Sequence, residues 1–281
     1  MSISPKLVKE LGVKKNDIVS GLRSKITGLK HKYWKSLFDH LKEVTRRLAT
    51  KQRKQFLESV REQRSIDFTR GNIHSVMIWI TKSAGDHFDD QLVEMFKSLA
   101  QVSNVEAYKS NERVFKKGDW RYLKDEASHL KLCYRLVLER WSAIYTGNWE
   151  RESFNGLTED AHNYIMDIIT VANNLGFDCD DTPLNYEWQS NKKIEIVLRD
   201  GSALMDIRAF KNGNLHIRFN KKAMLAINVQ AGKLLGWLRN WEEAVEELQV
   251  DEAEKSDVEK VFGISYQVLP KNLRITQGVA V

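Results

Sequence analysis

Residues 192–220 constrain the fold more tightly than any other part of the chain. The stretch alternates apolar and polar residues and is punctuated by two turn dipeptides, Asp200-Gly201 and Asn212-Gly213. Period-two alternation puts one set of side chains on each face of a strand, and Asp-Gly or Asn-Gly supplies the left-handed backbone that a tight hairpin needs. Three antiparallel strands are predicted. A two-residue turn at Asp200-Gly201 sets Leu198 opposite Ala203, Ile196 opposite Met205 and Ile194 opposite Ile207. A two-residue turn at Asn212-Gly213 would set Arg208 opposite Ile217 and mix the faces. A three-residue loop, Asn212-Gly213-Asn214, sets Ala209 opposite Ile217 and Ile207 opposite Phe219, and so keeps one face apolar.

The other face is then charged. It carries Lys193, Glu195 and Val197, then Leu204, Asp206, Arg208 and Phe210, then His216, Arg218 and Asn220. In this register Glu195 lies across from Asp206, Asp206 from Asn220, Arg208 from Arg218, and Phe210 from His216. Like charges directly opposite each other are destabilising unless something lies between or above them. Two chemistries fit such a face. Glu195, Asp206 and His216 form a candidate catalytic group, the carboxylates sharing a metal or a proton while Arg208 and Arg218 hold a phosphate. Alternatively Arg208, Lys211 and Arg218 neutralise nucleic-acid phosphates, the two-stranded ribbon being of a size to enter a major groove. The plain alternative is an exposed sheet face with cross-strand ion pairs.

Upstream, the patterns are helical and no proline interrupts them between Pro5 and Pro183. Trp34, Leu37, Leu41, Val44 and Leu48 form a stripe at helical steps with Phe38 beside it, on a segment rich in Lys and Arg, with a break expected near Thr50. Ile73, Val76, Met77 and Ile80 suggest a second helix ended by Gly85. Asp86 then caps a third that carries Phe88, Leu92, Met95, Phe96 and Leu99, the two forming a hairpin. Residues 102–120 read as a long polar loop or a short strand pair. Leu130, Tyr134, Val137, Trp141 and Ile144 suit a helix opened by Asp125 and ended by Gly147. Thr158 caps another helix, with Ile165, Ile168, Ile169 and Ala172 buried and Gly176 ending it. Asp178, Asp180 and Asp181 suit a cation site or, more simply, a charged turn. Asn220 caps a helix over 221–248, with Gly232 and Gly236 spaced for close packing. Residues 242–259 hold nine acids and one base, Lys255, read as a solvated acidic face or a docking segment. A short strand is expected after Pro270.

The fold class is therefore α+β, a mainly helical N-terminal part with a small antiparallel β-meander packed on helices. The divisions are a basic helical extension (1–64), a helical portion (65–176), an antiparallel ribbon plus helix (177–248) and an acidic and C-terminal tail (249–281). Cys133 and Cys179 are too few for a disulfide framework or a thiolate zinc cage and read as small buried hydrophobes. No apolar run approaches the length a membrane helix needs and no secretory leader is visible, so a cytoplasmic protein is expected, with no membrane partner. Nothing implies a cofactor or a metal. Residues 1–70 hold 18 Lys+Arg against 7 Asp+Glu, whereas the whole chain is only +6. That asymmetry suggests a polyanion partner. The candidate nucleic-acid-binding residues are Lys35, Lys42, Arg46, Arg47, Lys51, Arg53 and Lys54 on the helical segment, with Arg208, Lys211 and Arg218 on the ribbon. Trp120 and Trp149 are candidates for exposed stacking.

The run Phe210-Lys-Asn-Gly-Asn-Leu-His-Ile-Arg-Phe219, followed by Ala231-Gly-Lys-Leu-Leu-Gly-Trp237, resembles the hallmark of the domain-of-unknown-function family 4942. Arg70-Gly-Asn-Ile73 and the segment from Phe88 to Phe96 are similar to that family's helical portion. The resemblance covers about residues 65–240 and implies a phage, prophage or plasmid protein. Some members carry an adenine-methyltransferase-like domain. This chain has neither the Gly-rich strand-to-helix loop nor the Asp/Asn-Pro-Pro-aromatic motif, so methyl transfer is not inherited. The expected function is an accessory protein of a mobile element that binds nucleic acid. The alternatives are a factor that binds a host or defence protein, and an enzyme acting on nucleic acid or nucleotides.

Overall fold

The computed structural model describes residues 46–62, 69–111, 129–139, 142–147 and 153–264, with isolated helical positions between 20 and 32. The apolar stripe from Trp34 to Val44, Trp120, Trp149 and the strand expected after Pro270 lie outside the described residues. By compactness the chain divides into two units, Met1–Thr45 with Arg53–Ile80, and Arg46–Gln52 with Thr81–Val281. In the first unit the described backbone is helical. It comprises the later part of α1 (Thr50–Glu62) and the start of α2 (Arg70–Leu99).

The second unit is an α+β body whose two antiparallel sheets, of two and four strands, pack against helices. Strands β1 (Val105–Ala107) and β2 (Leu130–Leu132) pair with each other. Strands β3 (Arg135–Glu139), β4 (Lys193–Val197), β5 (Ala203–Ala209) and β6 (Asn214–Phe219) form the larger sheet in the order β3-β6-β5-β4. Helix α3 (Glu159–Asn174) precedes the meander. Helices α4 (Lys221–Leu234), α5 (Trp241–Leu248) and α6 (Lys255–Phe262) follow it.

The break near Thr50 is present. Residues 47–49 leave helical geometry because groups from two other helices grip their backbone. Gln91 accepts from Ala49 N at 2.7 Å and donates to Arg47 O, Asn174 donates to Arg47 O, and Asp167 accepts from both Thr50 N and its hydroxyl. The separation expected at Gly85 is absent. Helix α2 runs through it, and Asp86 caps nothing. A glycine costs a helix only about 1 kcal/mol relative to alanine. Downstream of it Phe88, Leu92, Met95, Phe96 and Leu99 are all buried, which outweighs that.

The helix expected to open at Asp125 is replaced by β2 and β3. Within residues 130–139 the governing period is two, with Leu132, Leu136 and Leu138 buried, while Tyr134 and Val137, assigned to a helical core face, are 40% and 41% exposed. The leucines satisfy either period over so short a run, and pairing with β6 decides. Gly147 ends no helix and sits in a loop at φ +79°. The α3 signals hold. Thr158 accepts from Ala161 N, the four expected apolar residues are buried, and Gly176 follows at φ +94°. The single helix expected over 221–248 is two. Gly236 at φ +71° ends the first, with Trp237 N returning to Gly232 O at 2.8 Å, and Asn240 caps α5 by accepting from Glu243 N. Gly232 does pack closely: a methyl there would meet the Leu238 side chain at 2.6 Å and the Tyr108 hydroxyl at 2.9 Å. Gly236 serves as a cap, with open space beside it.

Four asparagines tie these pieces together in one way. Asn104, Asn111, Asn173 and Asn228 each accept from the N–H and donate to the C=O of a single distant residue: Val137, His129, Cys179 and Leu132 respectively. Each amide thereby acts as one rung of a strand that is not there. Asn104 is 1% exposed and also donates to Leu99 O at the end of α2. Asn104→Ala should therefore strand buried backbone groups on both β3 and α2 and lower unfolding free energy by about 2–4 kcal/mol. Urea denaturation measures this, and a loss under 0.5 kcal/mol (roughly the level of an ordinary surface substitution) would refute it.

Candidate nucleic-acid interface

The site grows from two turns. Both are three-residue loops. Gly201 N bonds to Leu198 O and Gly213 N to Phe210 O, at 2.9 and 3.0 Å. Gly201 and Gly213 sit at φ +83° and +93°, whereas Asp200 and Asn212 do not have positive φ, which excludes the two-residue turn expected at Asp200-Gly201. The two polar residues grip their loops instead: Asp200 accepts from Ser202 N and Asn212 from Asn214 N.

In the first hairpin the added residue is absorbed by a bulge at Leu204. Ile194↔Ile207 and Ile196↔Met205 hold as expected, but Ala203 meets Val197 rather than Leu198. Leu204 turns from the charged face into the core, at 0% exposure. Asp181 satisfies the bulged strand by accepting from Val197 N at 2.8 Å, and it also accepts from the Tyr186 hydroxyl. Burial and then this carboxylate hold the Tyr186 phenol above its ordinary range. Asp178 and Asp180 pair with Arg199 of the loop. The acidic trio thus builds the hairpin.

The second loop is Lys211-Asn212-Gly213, one residue earlier than expected. The register moves by two, to Ala209↔Leu215, Ile207↔Ile217 and Met205↔Phe219. An even shift preserves the faces, so the apolar side stays apolar. The charged side changes partners. Glu195 still opposes Asp206, but Asp206 now opposes Arg218, and Arg208 opposes His216 and Lys193. The expected Arg208–Arg218 and Asp206–Asn220 pairs do not form. Strand β3 extends the face with Arg135 opposite Arg218, Val137 opposite His216 and Glu139 opposite Asn214.

Beside the row of Glu139, Asn214 and Phe210, two rows cross the open face as a result. One is Arg135, Arg218, Asp206, Glu195, two bases and two acids. Arg218 donates twice to one Asp206 oxygen, at 2.6 and 2.5 Å, and Lys193 stands 3.3 Å from Glu195 and 3.8 Å from Asp206. The other row is Val137, His216, Arg208, Lys193, without an acid. Arg208 is exposed, and its polar contact is Asn191 at 3.5 Å. Lys211 is exposed at the adjoining loop. The Phe210 ring lies 4.6 Å from that of exposed His216, and the Arg135 guanidinium lies 5.3 Å from the Tyr134 ring centre.

Of the proposed catalytic group, Glu195 and Asp206 are neighbours and His216 sits on the next row. Among the described residues no group of His, Cys, Asp and Glu side chains is arranged to hold a metal. Of the basic helical candidates, Lys35 and Lys42 lie outside the described residues. Arg46 and Lys54 are exposed, and Arg53 is half-buried. Arg47 donates to Asn174 at 2.9 Å and stacks over Phe88, and Lys51 pairs with Glu94. Burial opposes ionisation of Glu94, yet its bonds from Lys51 and Gln52 hold its carboxyl below the ordinary value.

The sequence reading missed a buried polar cluster in the second unit. Glu247, assigned to a solvated acidic face, is 3% exposed and accepts from Ser110 N. Nearby, Tyr108, His129 and Trp237 form an aromatic cluster, with His129 stacked on Trp237 at 5.4 Å. The Tyr108 hydroxyl, Ser110 Oγ and His129 Nδ1 have no hydrogen-bond partner among the described residues. The helical spacing of Ala244 and Leu248 around Glu247 was the available signal. Cys179 is buried as expected, whereas Cys133 is half-buried.

The family description "Domain of unknown function (DUF4942)" matches residues 26–237. The chain therefore belongs to this phage- and plasmid-associated family. No curated protein and no solved structure matches the chain. Among the described residues, no helix is long and apolar enough to cross a membrane.

Burial lowers the His129 pKa, with Glu247 and Glu243 opposing. A histidine whose folded pKa lies below its unfolded value near 6.5 stabilises the fold fully above that pH and progressively less below it. The melting temperature should thus fall as pH drops from 7.5 toward 5.5. His129→Phe, which keeps a ring against Trp237, should flatten that fall. Parallel profiles for the two proteins would show that His129 is not responsible.

Proposed function

We propose, from membership of a phage- and plasmid-associated family and from the charge pattern of the larger sheet, that the protein is a mobile-element accessory factor that binds nucleic acid. The observation that carries this reading is exposed Arg208 beside exposed His216 in a row without an acid on the sheet face, with exposed Lys211 at the adjoining loop. Exposed cations on a rigid strand scaffold suit phosphate neutralisation, because their spacing is set before binding. The sequence charge of the basic N-terminal segment supports the same reading, with Lys35, Lys42, Arg46, Arg53 and Lys54 as its candidate contacts. Arg47 and Lys51 serve the fold instead, being held by Asn174 and Glu94.

The catalytic reading of Glu195, Asp206 and His216 has less in its favour. Asp206 is engaged by Arg218 and faced by Lys193, an arrangement that suits a fixed counter-charge better than a shared proton. Docking of a host protein has no comparable feature of its own on the described surface.

Affinity for a fluorescein-labelled oligonucleotide, followed by anisotropy across a salt series, tests the reading. Log affinity should fall linearly with log salt, and Arg208→Ala should reduce the slope by about 0.7–0.9, one phosphate contact. Asp206→Asn, which removes an anion and releases Arg218, should tighten binding about twofold or more at low salt. Absence of binding, or binding indifferent to salt, would overturn the proposal.

A further inference from the structure

We infer that the ligand of this face is a single strand, whose bases stack on Phe210 and His216 while its phosphates meet Arg208 and Lys211. The inference rests on the nucleic-acid reading above and adds the form of the ligand. The first argument is width. Strands β5 and β6 are the two central strands of the sheet, flanked by β4 and β3. Three inter-strand steps make it about 14 Å across its backbones, whereas a major groove is about 12 Å wide. The two-stranded ribbon expected from the sequence is therefore not free to enter a groove, and duplex could only lie against the face.

The second argument is what the face offers. Phe210 and His216 form a ring pair at 4.6 Å, and His216 is exposed beside Arg208. Val137, opposite His216 on β3, leaves 41% of its surface in water. A duplex hides the faces of its bases and would gain nothing from these groups. An unpaired base presents a π-face that stacks on such rings irrespective of its identity. Interleaving supports the same occupant. His216 lies within the cationic row and Phe210 is its ring partner one row further along β5, so one extended strand can place bases on the rings and phosphates on the neighbouring guanidinium and ammonium groups. Asp206 is paired with Arg218 and Glu195 with Lys193, which leaves Arg208 and Lys211 as the cations for a backbone to follow.

The test compares full-length protein binding to a labelled single-stranded DNA dodecamer, the RNA of the same sequence and the corresponding DNA duplex. At least one single strand should bind about tenfold or more tightly than the duplex. Phe210→Ala and His216→Ala should each weaken single-strand binding by about 5- to 150-fold and change duplex binding less than twofold. Because Phe210 is half-buried, exposed His216 provides the variant that leaves packing intact, and Phe210→Trp should restore binding. Duplex binding equal to or tighter than single-strand binding, or unchanged affinity in both alanine variants, overturns the single-strand inference while Arg208→Ala still registers nucleic-acid binding. Failure of all three probes to bind overturns both.

Discussion

Asn104 is the residue on which the larger sheet depends. Its amide closes both hydrogen bonds of Val137 on the outer edge of β3, its nitrogen also reaches Leu99 O, and its own carbonyl accepts from Cys133 N. An edge strand left open would be a template for pairing with another chain. Closing it with one buried side chain blunts that edge and fixes β3 to the end of α2. Without β3 the meander would be a three-stranded ribbon with a different exposed face: Arg135 and Val137 would be missing from it. The chemistry of the candidate site therefore begins with an asparagine that lies outside it.

The same economy recurs at Asn111, Asn173 and Asn228. Buried backbone groups must be paired, and in irregular connections the ladder cannot pair them. An asparagine carries a donor and an acceptor at the spacing of a peptide, so it completes a segment too short to be a strand. Asn228, 5% exposed within α4, holds Leu132 and so joins the small sheet to the C-terminal helices. Those helices close around Val229, Leu238, Ala244 and Val258 with Tyr108. Lys233 reaches the terminal carbonyls Phe262 O and Ile264 O, which is where a cation best complements a helix C-terminus.

Which features could be read from the sequence follows from this. Local signals were legible: the caps Thr158 and Asn220 act within one helical turn, and the apolar face of the meander survived a two-residue error in register because parity alone decides the face. Partners across the charged face were not legible. They depend on whether a loop begins at Lys211 or Asn212, a choice of about one residue's backbone conformation that neighbouring propensities do not settle. Strand β3 was lost for another reason. Leucines at 130, 132, 136 and 138 suit a period of two, but Tyr134, Val137 and Ile144 imitate a helical one, and the pairing that arbitrates comes from residues about eighty positions later. Nor could composition show that Glu247 is buried, since its partner is the backbone of Ser110.

The corrected register also changes the electrostatics of the face. In the expected pairing, Arg208 would have opposed Arg218 and Asp206 would have opposed Asn220, leaving a repelling pair and an unmatched carboxylate that together call for a ligand. In the observed pairing Asp206 takes Arg218 as its counter-charge, while Glu195 still opposes Asp206 and Lys193 stands beside both. Exposed cations stand near them: Arg208 beside His216, Lys211 in the loop, and Arg135 over Tyr134. An exposed guanidinium held on a strand has already lost much of the conformational freedom that binding would remove, so its interaction with a phosphate is less offset by ordering than that of a cation on a free chain. The displacement of one loop by a single residue thus gives Asp206 a fixed counter-charge in Arg218 and sets Arg208 beside His216.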